Sequence, residues 1–300
     1  MKAEFKEQVK LLLDVLPFVG EEDQLALHGG TAINLFVRDM PRLSVDIDLT
    51  YITIEERAIT IENINELLFR LKVKLETRLI GSTVQVKPNI GKLFINKDNA
   101  TIKLEINLVG RGLFDNPQKM LLSKVAQQQY GTFVEVKMVP FAQLYGGKIC
   151  AALDRQHPRD LFDVKFLLDR EGINDEIKKG FIYSLLGSER PIYEILNPNL
   201  LNQREALINQ FEGMTDIPFG YECYESTREL LIKEIHRSLS EKDKNFLMSF
   251  KTLNPDWTSY PFEQFPSVRW KYINLQNLKS KNAIKYKEQV IRLEEFLVHL

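Results

Sequence analysis

The sequence predicts an α+β fold, a mixed sheet with covering helices followed by a mostly helical half. Three observations carry this reading. Apolar and polar residues alternate in short runs before Pro140, most clearly in Ser44–Tyr51 and Thr101–Val109, and a period of two marks a strand with one buried face. Between these runs, apolar residues recur at helical spacing. Beyond Pro140, helical patterns dominate to Leu300. The expected organisation is an α/β domain at residues 1–139 and a mostly helical domain at 140–300 that completes the cleft.

The elements follow in order. Phe5, Val9, Leu12, Leu13 and Leu16 share a helical face, so a first helix is expected over Ala3–Phe18. The apolar run Leu25–His28 reads as a strand that stops at Gly29 and Gly30, and a short helix is expected over Thr31–Arg38. After Pro41 comes the alternating strand Ser44–Tyr51, then a long helix over Ile54–Glu76. Strands are expected at Thr83–Lys87, Lys92–Asn96, Thr101–Val109 and Phe133–Lys137. In the third of these, Ile102, Leu104, Ile106 and Leu108 share one face. Helices are expected at Phe141–Asp154 and Asp160–Asp169, and an aromatic stretch at Asn254–Tyr272 interrupts the later helical pattern. Most of Trp257, Phe262, Phe265 and Trp270 are expected to fill the core between the halves.

Composition narrows the functional classes. With 300 residues and 44% hydrophobic content, the chain can form one large core or two modest ones. Lys and Arg number 40 against 41 Asp and Glu, which excludes a polycation that binds nucleic acid by bulk charge. Only Cys150 and Cys223 are present, far apart, which argues against a disulfide framework or a zinc site. The N-terminal apolar run Leu11–Leu13 lies among charges and reads as an amphipathic helix, not a signal peptide. No apolar stretch approaches the ~20 residues of a membrane span. A cytoplasmic protein with no membrane partner is the expectation.

The chemistry-bearing residues begin with Asp46 and Asp48. Residues i and i+2 of a strand share a face, so their carboxylates stand side by side while Val45, Ile47 and Leu49 face inward. Adjacent carboxylates repel unless a cation lies between them, and Mg²⁺ takes oxygen ligands and completes its shell with substrate phosphates. A solvated acidic face is the plainer reading of this pair alone. Gly29-Gly30-Thr31 can bring backbone N–H groups close to a phosphate, or can be a tight turn capped by Thr31. Glu105 lies on the polar face of its strand with Lys103 and Asn107. If that strand pairs beside the Asp46 strand, Glu105 joins the carboxylates; otherwise it is an ordinary solvent-facing residue. Lys148, on an apolar helix face, can reach a triphosphate or snorkel to solvent. Arg159 can hold phosphate. Asp160 can orient Lys148 or a substrate hydroxyl, or with Asp163 simply favour a helix first turn. His157 has no partner at ligand spacing.

Taken together, HGGTAINLFVRDMPRLSVDIDLTY resembles the signature of nucleotidyltransferase toxins of the AbiEii/AbiGii type, within the polymerase-β-like superfamily. The matching positions are Gly29, Gly30, Arg42, Ser44, Asp46 and Asp48. GGKICAALDRQHPRDLFD resembles the family's later lysine and Arg-Asp segments, and PSVRWKYINL, Pro266–Leu275, resembles a closing motif. The resemblance implies a polymerase-β-like nucleotidyltransferase core. It implies that Asp46 and Asp48, with Glu105 as third acidic position, hold Mg²⁺. Gly29, Gly30, Thr31 and Ser44 would cradle nucleotide phosphates, and Lys148 and Asp160 would act in catalysis. It further implies transfer of a nucleoside monophosphate from an NTP to an RNA acceptor, the 3′ end of tRNA, blocking translation within a phage-defence or toxin–antitoxin system. The partner would be an antitoxin, often of winged-helix type.

Metal-assisted phosphoryl transfer explains why carboxylates, glycines and a lysine suffice without a Ser or Cys nucleophile. Arg155, Arg159, Lys165 and exposed aromatics can bind RNA. Rival readings are transfer to a protein or small-molecule acceptor and a non-catalytic nucleotide-binding scaffold. A calcium-type acidic loop ranks last, because no EF-hand spacing follows Asp46.

Overall fold

A computed structural model describes residues 1–300. The chain divides into two compact units: one comprises Met1–Pro140 with Phe211–Pro218, the other Phe141–Gln210 with Phe219–Leu300.

The first unit is α+β. Its elements are α1 (Ala3–Gly20), β1 (Leu25–His28), α2 (Gly29–Thr31) running into a π-helical turn (Ala32–Val37), β2 (Asp46–Tyr51), α3 (Arg57–Arg78), β3 (Thr83–Lys87), β4 (Lys92–Lys97), β5 (Ala100–Asn107), β6 (Gln118–Leu121), α4 (Lys124–Tyr130) and β7 (Glu135–Met138). The strands form one mixed seven-stranded sheet in the order β3-β4-β5-β2-β1-β7-β6. β1 runs antiparallel to β2, and β2 runs parallel to β5. Alternation does its expected work here: Ala100, Ile102, Leu104 and Ile106 of β5 are buried, as are Ile47 and Leu49 of β2. Leu108 lies beyond the end of β5 and outside that face's pairing. On α1, Val9, Leu12, Leu16 and Val19 are buried against β5, β7 and α3. Burial of such a stripe, not helix propensity, stabilises a surface helix in water.

Three features depart from the sequence expectation. The helix expected over Thr31–Arg38 is short α-helix followed by π-helix, with the Arg38 N–H bonded to the Ile33 carbonyl at 2.8 Å. Such wide turns are rare and often sit beside functional sites. β6 and α4 carry no clear periodic pattern. β6 is an exposed edge strand, recognisable only from its pairing with β7, and α4 buries Ala126 alone before ending at left-handed Gly131. The segment Phe211–Pro218 returns to the first unit. There the Gly213 carbonyl accepts from Lys2 N, the Met214 carbonyl from Leu43 N at 2.7 Å, and Thr215 Oγ1 donates to the Pro41 carbonyl at 2.7 Å. The loop that delivers β2 is thus pinned by residues far away in sequence.

The second unit is helical: α5 (Phe141–Asp154), α6 (Pro158–Arg170), α7 (Asp175–Gly187), α8 (Ile192–Leu196), α9 (Arg204–Gln210), α10 (Tyr221–Ser238), α11 (Glu241–Lys251), α12 (Pro266–Lys281) and α13 (Ala283–Val298). Tyr183 packs edge-on against Phe262 and Phe265, with ring centroids 5.2 and 4.9 Å away. Phe262 and Phe265 are fully buried, Trp257 is half-buried and Trp270 is exposed. The C-terminal part of the aromatic stretch is helical, since Pro266 occupies the first turn of α12, where a missing N–H costs nothing. Lys271 Nζ satisfies the end of α7 by donating to the carbonyls of Leu185, Ser188 and Arg190 at 3.2, 2.9 and 2.5 Å.

α5 and α7 cross at Gly146 and Gly180. A Cβ on Gly180 would lie 1.9 Å from the Ala142 carbonyl oxygen, and one on Gly146 would lie 2.0 Å from the Gly180 carbonyl carbon. The neighbours are backbone and cannot rotate aside. Gly180→Ala is therefore expected to destabilise the chain by about 3 kcal/mol, the upper end for overpacking. Urea unfolding of the variant measures this, and an unchanged midpoint would contradict the close crossing.

Candidate active site

The first cluster grows from the β1–β2 pairing. In the antiparallel register His28 lies opposite Asp48, so the turn that follows β1 is delivered beside the β2 carboxylates. Gly29 has a φ of +74°, and a Cβ there would stand 2.5 Å from Asp48 Oδ2. Both the left-handed backbone and the close carboxylate require glycine. A Cβ on Gly30 would meet Arg42 Nη2 at 2.8 Å and Ser44 Oγ at 3.0 Å. Thr31 Oγ1 donates to the Asp46 carbonyl at 2.6 Å and lies 3.1 Å from Ser44 Oγ. Asn34 Nδ2 donates to the Gly30 carbonyl at 2.9 Å. Thr31, Ser44 and Arg42 are buried, and the Thr31 hydroxyl fastens the glycine turn to β2 through Asp46 and to Ser44. Asp46 and Asp48 are half-buried on the face shared by i and i+2 residues.

The parallel pairing of β2 with β5 sets Asp46 opposite Lys103 and Asp48 opposite Glu105. The condition stated for Glu105 is thereby met: it lies on the strand beside Asp48. Its carboxylate is engaged by lysines. Lys103 Nζ lies 2.8 Å from Glu105 Oε2, and Lys92 Nζ of β4 lies 3.4 Å from it. Burial opposes the charge on both partners of the shorter pair. For Lys103 the hydrogen bond to Glu105 and the fields of Asp46, Glu105 and Asp48 outweigh burial and raise its pKa. For Glu105 the two lysines outweigh burial and hold its carboxyl below the usual range.

Asp46, Asp48 and Glu105 are not drawn together into a three-ligand metal cluster in this structure. The donor chemistry nonetheless fits a hard divalent cation, which binds oxygen and is often held by one or two carboxylates plus substrate phosphates. The face already attracts a positive charge, the Lys103 ammonium.

The second cluster lies in the helical unit. Lys148 on α5 places Nζ 2.9 Å from Asp160 Oδ1 and 3.1 Å from Asp163 Oδ2, both on α6. Arg155 Nε reaches Asp160 Oδ2 at 2.6 Å. Asp160 is buried, which by itself favours the neutral acid, but the charge of Lys148 and the Arg155 hydrogen bond hold its carboxyl well below the usual range. Arg159 is half-buried in the first turn of α6. His157 caps α6, its Nδ1 accepting from the Arg159 N–H at 3.1 Å while Nε2 meets Gln210 Oε1 at 2.9 Å. Both ring nitrogens are used in structural bonds.

The structure thus gathers Gly29, Gly30, Thr31, Ser44, Asp46, Asp48 and Glu105 in the first unit, and Lys148 with Asp160 in the second. Sequence reasoning gave no role to Lys103 as partner of Glu105, to Lys92, or to Arg42 behind the turn, and read Asp163 only as a helix-start residue. The signal for Lys103 was its place two residues before Glu105 on one strand face.

Comparisons with known proteins agree in kind. The family model described as nucleotidyl transferase AbiEii toxin, type IV TA system, matches residues 10–274. Among solved structures, the chain is similar to MenT4, a nucleotidyltransferase toxin from Mycobacterium tuberculosis H37Rv. The TM-score is 0.62 at 14% identity, covering 91% of this chain and 95% of that one. At that identity the likeness shows a common fold. No curated protein matches the chain.

Proposed function

Because the chain belongs to the AbiEii family of nucleotidyltransferase toxins of type IV toxin–antitoxin systems, we propose that it transfers a nucleoside monophosphate from an NTP to RNA. The proposed acceptor is the 3′ end of tRNA, and the consequence is arrested translation. Type IV membership brings with it an antitoxin partner, for which a winged-helix protein is proposed, and phage defence by abortive infection is the proposed setting. No helix is long and apolar enough to cross a membrane.

One observation carries the catalytic reading: Asp46 and Asp48 share a strand face, with Gly29 against Asp48 and Glu105 opposite it on the parallel neighbour. Asp46, Asp48 and Glu105 are the proposed holders of Mg²⁺, which when bound supplies the positive charge that lowers the pKa of an attacking hydroxyl and neutralises the pyrophosphate.

The remaining roles belong to the chain. Gly29 and Gly30 let Asp48, Arg42 and Ser44 close up against the turn, whose backbone N–H groups are proposed to meet the phosphate oxygens. Thr31 and Ser44 hold that turn in register with β2, so the phosphates meet a preformed surface. Lys148 is proposed to supply charge to the triphosphate, with Asp160 fixing its ammonium, and Arg159 to hold phosphate. The family resemblance supports these last three assignments, while the buried ion pairs of Lys148 also give it a structural duty.

The test is a transfer assay with Mg²⁺ and each α-labelled NTP in turn. The acceptors are tRNA, ribosomal RNA, a protein mixture and an aminoglycoside. Label is expected in tRNA alone. Label in protein or aminoglycoside and none in RNA would replace the acceptor. Nucleotide binding without transfer to any acceptor would favour a scaffold.

A further inference from the structure

The acidic face carries a cation of its own. Lys103 is the register partner of Asp46 across β2 and β5, and it precedes Glu105 by two residues on the same face of β5. Its ammonium lies 2.8 Å from Glu105 Oε2, while Lys92, opposite Glu105 on β4, stands farther off at 3.4 Å. The fields of Asp46 and Asp48 act on the same ammonium. Lys103 thus contacts Glu105 directly and sits across from Asp46 on the face assigned to the metal.

We propose that Lys103 is a resident counter-cation of the active site: it holds Glu105 before metal arrives and must yield that carboxylate when a divalent cation loads. This rests on the metal-site reading above. Three carboxylates on neighbouring strand positions repel one another, and one ammonium among them relieves that repulsion. The same ammonium opposes a second cation at the same oxygen. Lysine suits this exchange, being a compact charge on a flexible four-carbon stem with donors that reorient. Its side chain is about one-third exposed, so it can swing toward solvent or toward another anion. The triphosphate of an incoming NTP is such an anion. Metal and nucleotide then assist each other: nucleotide draws the lysine from Glu105 and vacates an oxygen for the metal, and by linkage metal favours nucleotide equally. The free protein binds metal weakly, and its metal affinity rises in the presence of NTP.

The test reads metal binding directly, without turnover. Mn²⁺ is titrated into the nucleotide-free protein and followed by the electron paramagnetic resonance of the unbound ion. Wild type is compared with Lys103→Met, Lys103→Gln, Lys103→Arg and Asp48→Asn, each checked for folding by circular dichroism. Removing the competing charge is expected to tighten Mn²⁺ binding roughly five- to tenfold in Lys103→Met and Lys103→Gln, as for a screened unit charge at contact distance. Lys103→Arg, which keeps the charge, is expected to stay near wild type, and Asp48→Asn to lose binding. Unchanged or weaker binding in a folded Met or Gln variant, with binding still dependent on Asp48, overturns the role of Lys103 and leaves the metal site standing. Binding by Asp48→Asn equal to wild type overturns the metal-site reading, and this inference with it.

Discussion

Asp48→Asn is expected to abolish nucleotidyl transfer while leaving the fold intact. The amide matches the carboxylate in shape, and Asp48 is only half-buried at the site surface, so stability is expected to change by less than about 1 kcal/mol. The chemistry loses much more. An uncharged amide does not restrain a divalent cation as a carboxylate does, and loss of one preorganised electrostatic group at a reacting centre costs about a thousandfold in rate. The local geometry isolates this effect. Asp48 Oδ2 lies 2.5 Å from where a Cβ on Gly29 would stand, and the substitution retains the shape of that contact while removing the charge and one acceptor oxygen. Initial rates of label transfer, with thermal unfolding as control, measure it. Turnover within tenfold of wild type would remove Asp48 from the mechanism.

Lys148→Met is expected to lower stability and to change its pH dependence. The ammonium is shared by Asp160 and Asp163 at 2.9 and 3.1 Å, and all three side chains are nearly inaccessible. Methionine fills a similar volume but leaves two buried carboxylates without their common cation. Breaking such a pair costs about 3–5 kcal/mol, and the lower end is expected because Arg155 still reaches Asp160. The pH dependence should change with it. Asp160 has a folded pKa below its ordinary 3.8. Its ion pairs therefore stabilise fully above that value and fail only as pH falls below it. In Lys148→Met this support is reduced, and unfolding in acid is expected to begin at higher pH. Urea titrations across pH measure both effects. Transfer measured well below the variant's melting temperature separates the catalytic role from the structural one: normal rates in folded Lys148→Met would leave only the ion-pair duty.

Much of the site was legible because strand periodicity is short-range information. The i and i+2 placement of Asp46 and Asp48 follows from alternation alone, and a glycine pair after an apolar run announces a turn. The parallel pairing of β2 with β5 was not legible, because a register between strands so far apart in sequence depends on the packing of α3 and the β3–β4 hairpin between them. The sequence could state only the condition, that Glu105 joins Asp48 if those strands pair. β6 escaped because an edge strand exposed on both faces has no alternation to read. The π-helical turn after Thr31 escaped because nothing in AINLFV distinguishes wide turns from ordinary ones. The buried bonds of Thr31 to Asp46 and Ser44 were likewise invisible. Ser44 was placed at the phosphates by resemblance, whereas its hydroxyl lies beside Thr31 behind the turn. The Lys148 pairs show the reverse lesson. The sequence offered Asp160 as a partner that orients Lys148, but only packing of α5 against α6 adds Asp163 and makes the three one buried unit.

Extension of tRNA by a nucleotide through the Asp46–Asp48 face leaves a mark on the RNA itself. The most direct measurement is the mass of tRNA 3′ fragments after incubation with protein, Mg²⁺ and all four NTPs, beside the Asp48→Asn variant. The 3′ fragments are expected to be heavier by one or more nucleoside monophosphates with the wild type, and unchanged with the variant. Unchanged tRNA ends with the wild type, while NTP is consumed on another acceptor, would contradict it.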